Sequence, residues 1–167
     1  CRSVRSASAI ALDAKGDVYV VDWGGGRILK FSSSGKLLSG LQSSGRDSYG
    51  MREPYSLAIG PSGIIYVVDL KKEYIAKLDS SGAFLGAIKP TGDGVSAIMK
   101  TATCLALGRG GDLYVGDDHG RVLRTDRSGK KIVQWTVGSG SNGSNGEIMG
   151  INVGPNGDIY CVNSSNC

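Results

Sequence analysis

Short apolar runs alternate with turns rich in glycine, serine and asparagine along the whole chain. One run recurs almost unchanged. Gly16-Asp17-Val18-Tyr19-Val20-Val21-Asp22 is followed by Gly63-Ile64-Ile65-Tyr66-Val67-Val68-Asp69, then Gly111-Asp112-Leu113-Tyr114-Val115-Gly116-Asp117, then Gly157-Asp158-Ile159-Tyr160-Cys161-Val162-Asn163. The leading glycines stand 47, 48 and 46 residues apart, a period that marks a repeat architecture. A short strand precedes each copy (Ile10-Ala11-Leu12 in the first, Leu57-Ala58-Ile59 in the second), and a glycine turn joins the two. A third strand follows, as in Arg27-Ile28-Leu29-Lys30-Phe31, then a turn closed by Gly35, Gly82 or Gly129, then a fourth strand. The first two strands are apolar on both faces, as inner strands are when sheets cover both sides, whereas the third and fourth alternate with Lys, Arg and Ser. No segment carries the 3.6-residue apolar period of a helix.

Four short strands per repeat, joined by tight turns, make the blade of a propeller. The spacing predicts blades at about residues 8–45, 54–90 and 101–137, and a half blade at about 148–167, all within one domain of residues 1–167. The expected fold is therefore all-β: propeller-type blades of four antiparallel strands, about three and a half of them, in an incomplete or open propeller. The recurring apolar-Ala-apolar, Gly-Asp-apolar-Tyr-Val-Val-Asp, Arg-Ile and Ser-Gly elements resemble the NHL repeat. The resemblance covers essentially the whole chain and implies a six-bladed propeller, from which the blade count here departs.

An incomplete propeller leaves strand edges that invite pairing with another chain. The partner expected from this is a copy of the same chain or the remainder of a longer one. Four cysteines bear on that expectation: Cys1, Cys104, Cys161 and Cys167. No Cys-x-x-Cys pair suggests zinc. Cys1 and Cys167 should lie on distant edges, so a disulfide from Cys167 of one subunit to Cys1 of the next is the natural pairing in a head-to-tail ring or filament. Cys104 and Cys161, inside strands of adjacent copies, read as small buried hydrophobes or as a bridge between blades.

Composition adds a compartment and removes some partners. Glycine accounts for 27 of 167 residues, about twice the usual share, which the many turns explain. A net charge of +4 without a basic run makes nucleic acid an unlikely partner. No apolar stretch reaches the roughly 20 residues of a membrane helix. Asn142-Gly143-Ser144 and Asn163-Ser164-Ser165 read as glycosylation sequons, and with the terminal cysteines they favour an extracellular, secreted protein.

Catalysis is not expected. Asp22, Asp69, Asp117 and Asn163 occupy one position in four repeats, and a group needed at every repeat is structural, accepting N–H bonds in the loop after the second strand. His119 is the sole histidine. The unrepeated acids Asp47, Glu53, Asp93 and Glu147 have no spacing that selects a metal, so neither metal nor cofactor is expected. In a propeller the loops between strands two and three share a face with the loops between blades. On that face fall Trp23, Arg27, Arg46, Tyr49, Arg52, Tyr55, Lys71, Lys72, Tyr74, Lys100, His119 and Arg121. Basic and aromatic residues together can bind a protein, a glycan or single-stranded RNA. Two function classes follow: a self-associating structural module that uses edges and terminal cysteines, and an NHL-type binding module that uses the loop face.

Overall fold

The structure, a computed structural model, describes residues 4–41, 51–138 and 145–164. They form fourteen strands and divide into two compact units, Cys1–Ala87 and Ile88–Cys167. The first unit begins with the sheet β1 (Ala7–Leu12), β2 (Val18–Asp22), β3 (Arg27–Phe31) and β4 (Leu37–Leu41), paired in that order. The sheet β5 (Pro54–Ile59), β6 (Ile65–Asp69), β7 (Tyr74–Leu78) and β8 (Phe84–Ile88) repeats it. The second unit holds β9 (Ala102–Leu107), β10 (Leu113–Asp117), β11 (Arg121–Thr125) and β12 (Lys131–Thr136), then the pair β13 (Ile148–Val153) and β14 (Ile159–Asn163). Three complete four-stranded meanders and one two-stranded remnant are the repeat units expected from the 47-residue period.

Register shows why both faces of the inner strands are apolar. In the first sheet Ile10 pairs with Val20 and Val20 with Leu29, so these three share one face; Ala9, Val21 and Ile28 share the other. The second face is the one in the core. Tyr19, Val21, Ile28 and Leu41 pack with Leu57, Ile65, Val67, Ala76 and Leu78 of the second sheet, all buried. Alternate residues of an inner strand thus lie on opposite faces of its sheet, and one of those faces seats on the next sheet.

The fourth strand is reached through an Asp- or Ser-initiated turn. Asp79 Oδ1 accepts the Ser81 and Ala83 N–H groups at 2.8 and 2.9 Å, and Asp126 Oδ1 accepts those of Ser128 and Lys130 at 2.8 and 3.0 Å. Gly82 and Gly129 close these turns at φ of +90° and +92°, which a side chain rarely adopts.

A short helix, α1 (Val95–Met99), departs from the all-strand expectation. Five residues are too few to establish a period along the sequence, but Val95, Ile98 and Met99 share its buried side. It belongs to the segment leading into β9.

In the second unit β13 packs close to β9 and β10. Cys104, Val122 and Ile148 are buried together, with Trp135, Val137, Ile151 and Cys161 against them. The Thr103 hydroxyl donates to the Ile148 carbonyl, and Cys104 Sγ lies 3.4 Å from the same oxygen. This approach depends on Gly116, which stands where the other copies have Val21, Val68 and Val162. A Cβ at Gly116 would lie 2.6 Å from Cys104 Sγ and 2.7 Å from Ile148 Cγ2. Gly116→Val, although it restores the repeat's own residue, is expected to cost about 1–3 kcal/mol by overpacking, measured as a lower urea midpoint.

Candidate functional site

The strongest polar constellation in each blade is a clasp on the aspartate that ends the second strand. Asp22 is fully buried, and its Oδ1 accepts the backbone N–H of Arg5 at 2.9 Å and of Ser6 at 3.0 Å, while Oδ2 takes Arg27 Nε at 2.8 Å. Asp69, equally buried, accepts the N–H groups of Arg52, Glu53 and Lys72 at 2.6, 3.4 and 3.1 Å. Asp117 accepts those of His119 and Arg121 at 3.1 and 2.7 Å, with Arg121 Nε at 2.6 Å. The structural reading of these residues is correct in kind and incomplete in place. The carboxylate holds the loop after the second strand in two blades, but in the first two it also fastens the chain as it enters the first strand. Burial alone would raise the Asp22 pKa. The N–H groups of Ser6 and Arg5 and the Arg27 guanidinium outweigh it and hold the carboxyl below its ordinary value.

Asn163 takes the fourth slot with its polarity reversed. Its Nδ2 donates to Val137 O at 3.0 Å and Asn145 O at 2.7 Å. Both hydrogens of that side-chain nitrogen are therefore engaged by backbone carbonyls. Asn142 lies outside the described residues, as do Cys1, Cys167, Arg46, Asp47 and Tyr49.

The basic and aromatic residues divide into two groups. Arg27 and Arg121 belong to the clasps: their side chains are 11% and 24% exposed and ion-paired to fully buried carboxylates, so their charge is spent within the fold rather than offered to a partner. At the Arg27 position the second blade has Tyr74, whose phenol is raised in pKa by burial and then by the Asp69 carboxylate. Trp23, Arg52 and Lys71 remain exposed. Trp23 meets Tyr55 edge-on with ring centroids 6.3 Å apart, and Lys72 Nζ lies 5.8 Å from the Tyr74 ring centre. These six residues lie in the first unit; His119 and Arg121 lie in the second, and each group is a local feature of its own unit.

Asp117, Asp118 and His119 bring ligand-type atoms within 4.8 Å of one another. They make a poor metal site. Asp117 already faces two N–H donors and a guanidinium, and the exposed His119 Nδ1 is hydrogen-bonded to Asp118. Cys104 and Cys161 are both free thiols, and burial pushes Cys104 up to about 11, so neither bridges the blades.

No protein-family model matches the chain, and no curated protein is significantly similar to it. Solved structures do resemble it. A catalytically inactive virginiamycin B lyase from Staphylococcus aureus, crystallised with quinupristin, superposes with a TM-score of 0.66 at 16% identity, covering 99% of this chain and 51% of its own. A streptogramin B lyase structure gives 0.64 at 20% identity, with 94% and 48% covered. Hydrazine synthase of Kuenenia stuttgartiensis gives 0.68 at 12% identity, with 98% and 44% covered. The chain thus spans about half the length of the proteins it resembles, and identities this low speak to fold alone. The fold is that of a β-propeller, with four-stranded antiparallel sheets as its blades.

Proposed function

We propose that this chain is a non-catalytic, NHL-type blade module that works by association through the open ends of its sheets. One observation carries the reading: the outer strands β4, β8 and β12 each have a single strand neighbour among the described residues, and Leu37, Leu38, Leu85, Ile132 and Val133 on them are exposed. A row of backbone donors and acceptors without a ladder is the feature through which sheets recruit another chain. Against catalysis stands the use of the polar groups. The buried aspartates are spent on backbone clasps, and the one histidine sits exposed beside them without a nucleophile in its hydrogen-bonding set.

The test is the mass of the 167-residue chain in solution by light scattering, across concentration and salt. Association that grows with concentration and changes little between low and high salt supports the reading. A chain that stays monomeric throughout overturns it. Steep loss of association with salt would point instead to the charged loop face.

A further inference from the structure

The same repeat positions make a sheet-to-sheet contact in each unit, so the two contacts can be compared position by position. In the first unit Ala9 of β1 and Val67 of β6 belong to one apolar cluster. In the second unit the corresponding residues are Cys104 of β9 and Cys161 of β14, and they again share a cluster, with Val122 and Ile148. Register places them on the surfaces that meet. Cys104 pairs with Gly116 and Gly116 with Val122, which puts all three on one face of the sheet of β9 to β12. Cys161 pairs with Ile151, and both pack against that face. No other copy of the repeat has cysteine at either position. Ala9, Ser56 and Gly150 stand where Cys104 does, and Val20, Val67 and Val115 where Cys161 does. Two cysteines unique to the repeat thus stand on opposite sides of one contact.

The sheet is adapted to the first of them. A Cβ at Gly116 would lie 2.6 Å from Cys104 Sγ, so the sulfur occupies space that the repeat's valine would fill. Cys104 Sγ is turned toward the half blade, 3.4 Å from the Ile148 carbonyl oxygen of β13. Burial raises the Cys104 pKa, and the Cys161 thiol adds to the rise, an electrostatic effect that falls with distance. Both thiols are free in the structure.

We propose that Cys104 and Cys161 are a redox pair, which a low-molecular-weight disulfide converts into an intrachain bridge that staples β14 to β9. Cys161 is half-buried and Cys104 is 6% exposed, so Cys161 reacts first. Its thiolate attacks one sulfur of the small disulfide, breaks that S–S bond and releases one thiolate. Cys104 then loses its proton and attacks the Cys161 sulfur of the mixed disulfide, releasing the second. Two protein thiols are oxidised by two electrons, and the donor leaves as two thiols that carry the two protons. The bridge lies within one chain, so it does not depend on the association proposed above.

The test uses the full chain with Cys1→Ser and Cys167→Ser, which leaves this pair as its only thiols. The reduced protein is incubated with oxidised glutathione at mildly alkaline pH. The expected product has lost two hydrogens by mass, retains no glutathione, runs as a single chain on non-reducing electrophoresis and takes up no alkylating agent after denaturation. Its equilibrium constant for unfolding in urea should fall by on the order of 100-fold and return with dithiothreitol. Adding Cys161→Val, the repeat's own residue, should keep the circular dichroism of the reduced chain and abolish the gain. Glutathione retained on Cys161 while Cys104 is still alkylated overturns the proposal. So do covalent dimers as the main product, and thiols that stay unreacted in the folded chain while the urea-unfolded chain oxidises. A bridge that forms but leaves unfolding as easy as before also overturns it, because the sulfurs would then meet only by distorting the contact.

Discussion

Asp22→Ala is expected to destabilise the chain by about 3–5 kcal/mol, the range for removing one partner of a buried, hydrogen-bonded charge, read from equilibrium urea unfolding. The size comes from what is left behind. Two backbone N–H groups, of Arg5 and Ser6, lose their acceptor at the entry to β1, and the Arg27 guanidinium loses its counter-ion in a pocket where it is 11% exposed. Both N–H bonds are partly buried, and a donor shielded from water and left without an acceptor costs about 1–3 kcal/mol. Arg27→Ala should cost less, about 1–2 kcal/mol, because both N–H donors keep their carboxylate. The same clasp sets part of the acid limit of stability. The folded Asp22 pKa lies below its ordinary value of 3.8, so its contribution is complete above that value and is lost as pH falls through the folded value. Asp13, Asp79 and Asp126 are lowered as well, and they add to the same limb. Stability should therefore be flat in pH above about 5 and fall steeply below about 4, with a shallower fall in Asp22→Ala.

The clasp also shows which parts of the molecule are legible in the sequence. Blade boundaries are legible because a repeat samples the same physics four times. Gly16, Gly63, Gly111 and Gly157 mark the same turn, and all four adopt positive φ. The structural role of Asp22, Asp69 and Asp117 is legible from its recurrence. The partners of Asp22 and Asp69 sixteen or seventeen residues earlier are not, because an N–H donor is a backbone group with no residue type to flag it. The turn acids Asp79 and Asp126 were legible in principle: an Asp stands three residues before a glycine in each. The helix α1 was hidden by its five-residue length. Arg27 and Arg121 mislead for a related reason. A loop arginine looks like surface charge until the buried aspartate four or five residues earlier is seen to hold it. What recurrence cannot report is whether a face has a neighbour, since Tyr19 and Tyr160 sit in nearly the same local sequence.

That last distinction gives the second large effect. Tyr19→Ala is expected to cost about 3–5 kcal/mol, as buried aromatic truncations do. The ring is enclosed in the core between the first two sheets, its hydroxyl lies 3.3 Å from Asp13 Oδ2, and Lys30 Nζ stands 5.0 Å from its centre. Tyr160→Ala removes the same side chain from the same repeat position, yet in dilute solution it should change stability by no more than about 0.5 kcal/mol, because the ring is solvated in the single chain. The contrast separates local sequence from tertiary context, since the two positions differ chiefly in what lies against them. A Tyr160→Ala cost equal to that of Tyr19→Ala in dilute solution would overturn this contrast, because it would mean that the Tyr160 ring is enclosed as the Tyr19 ring is.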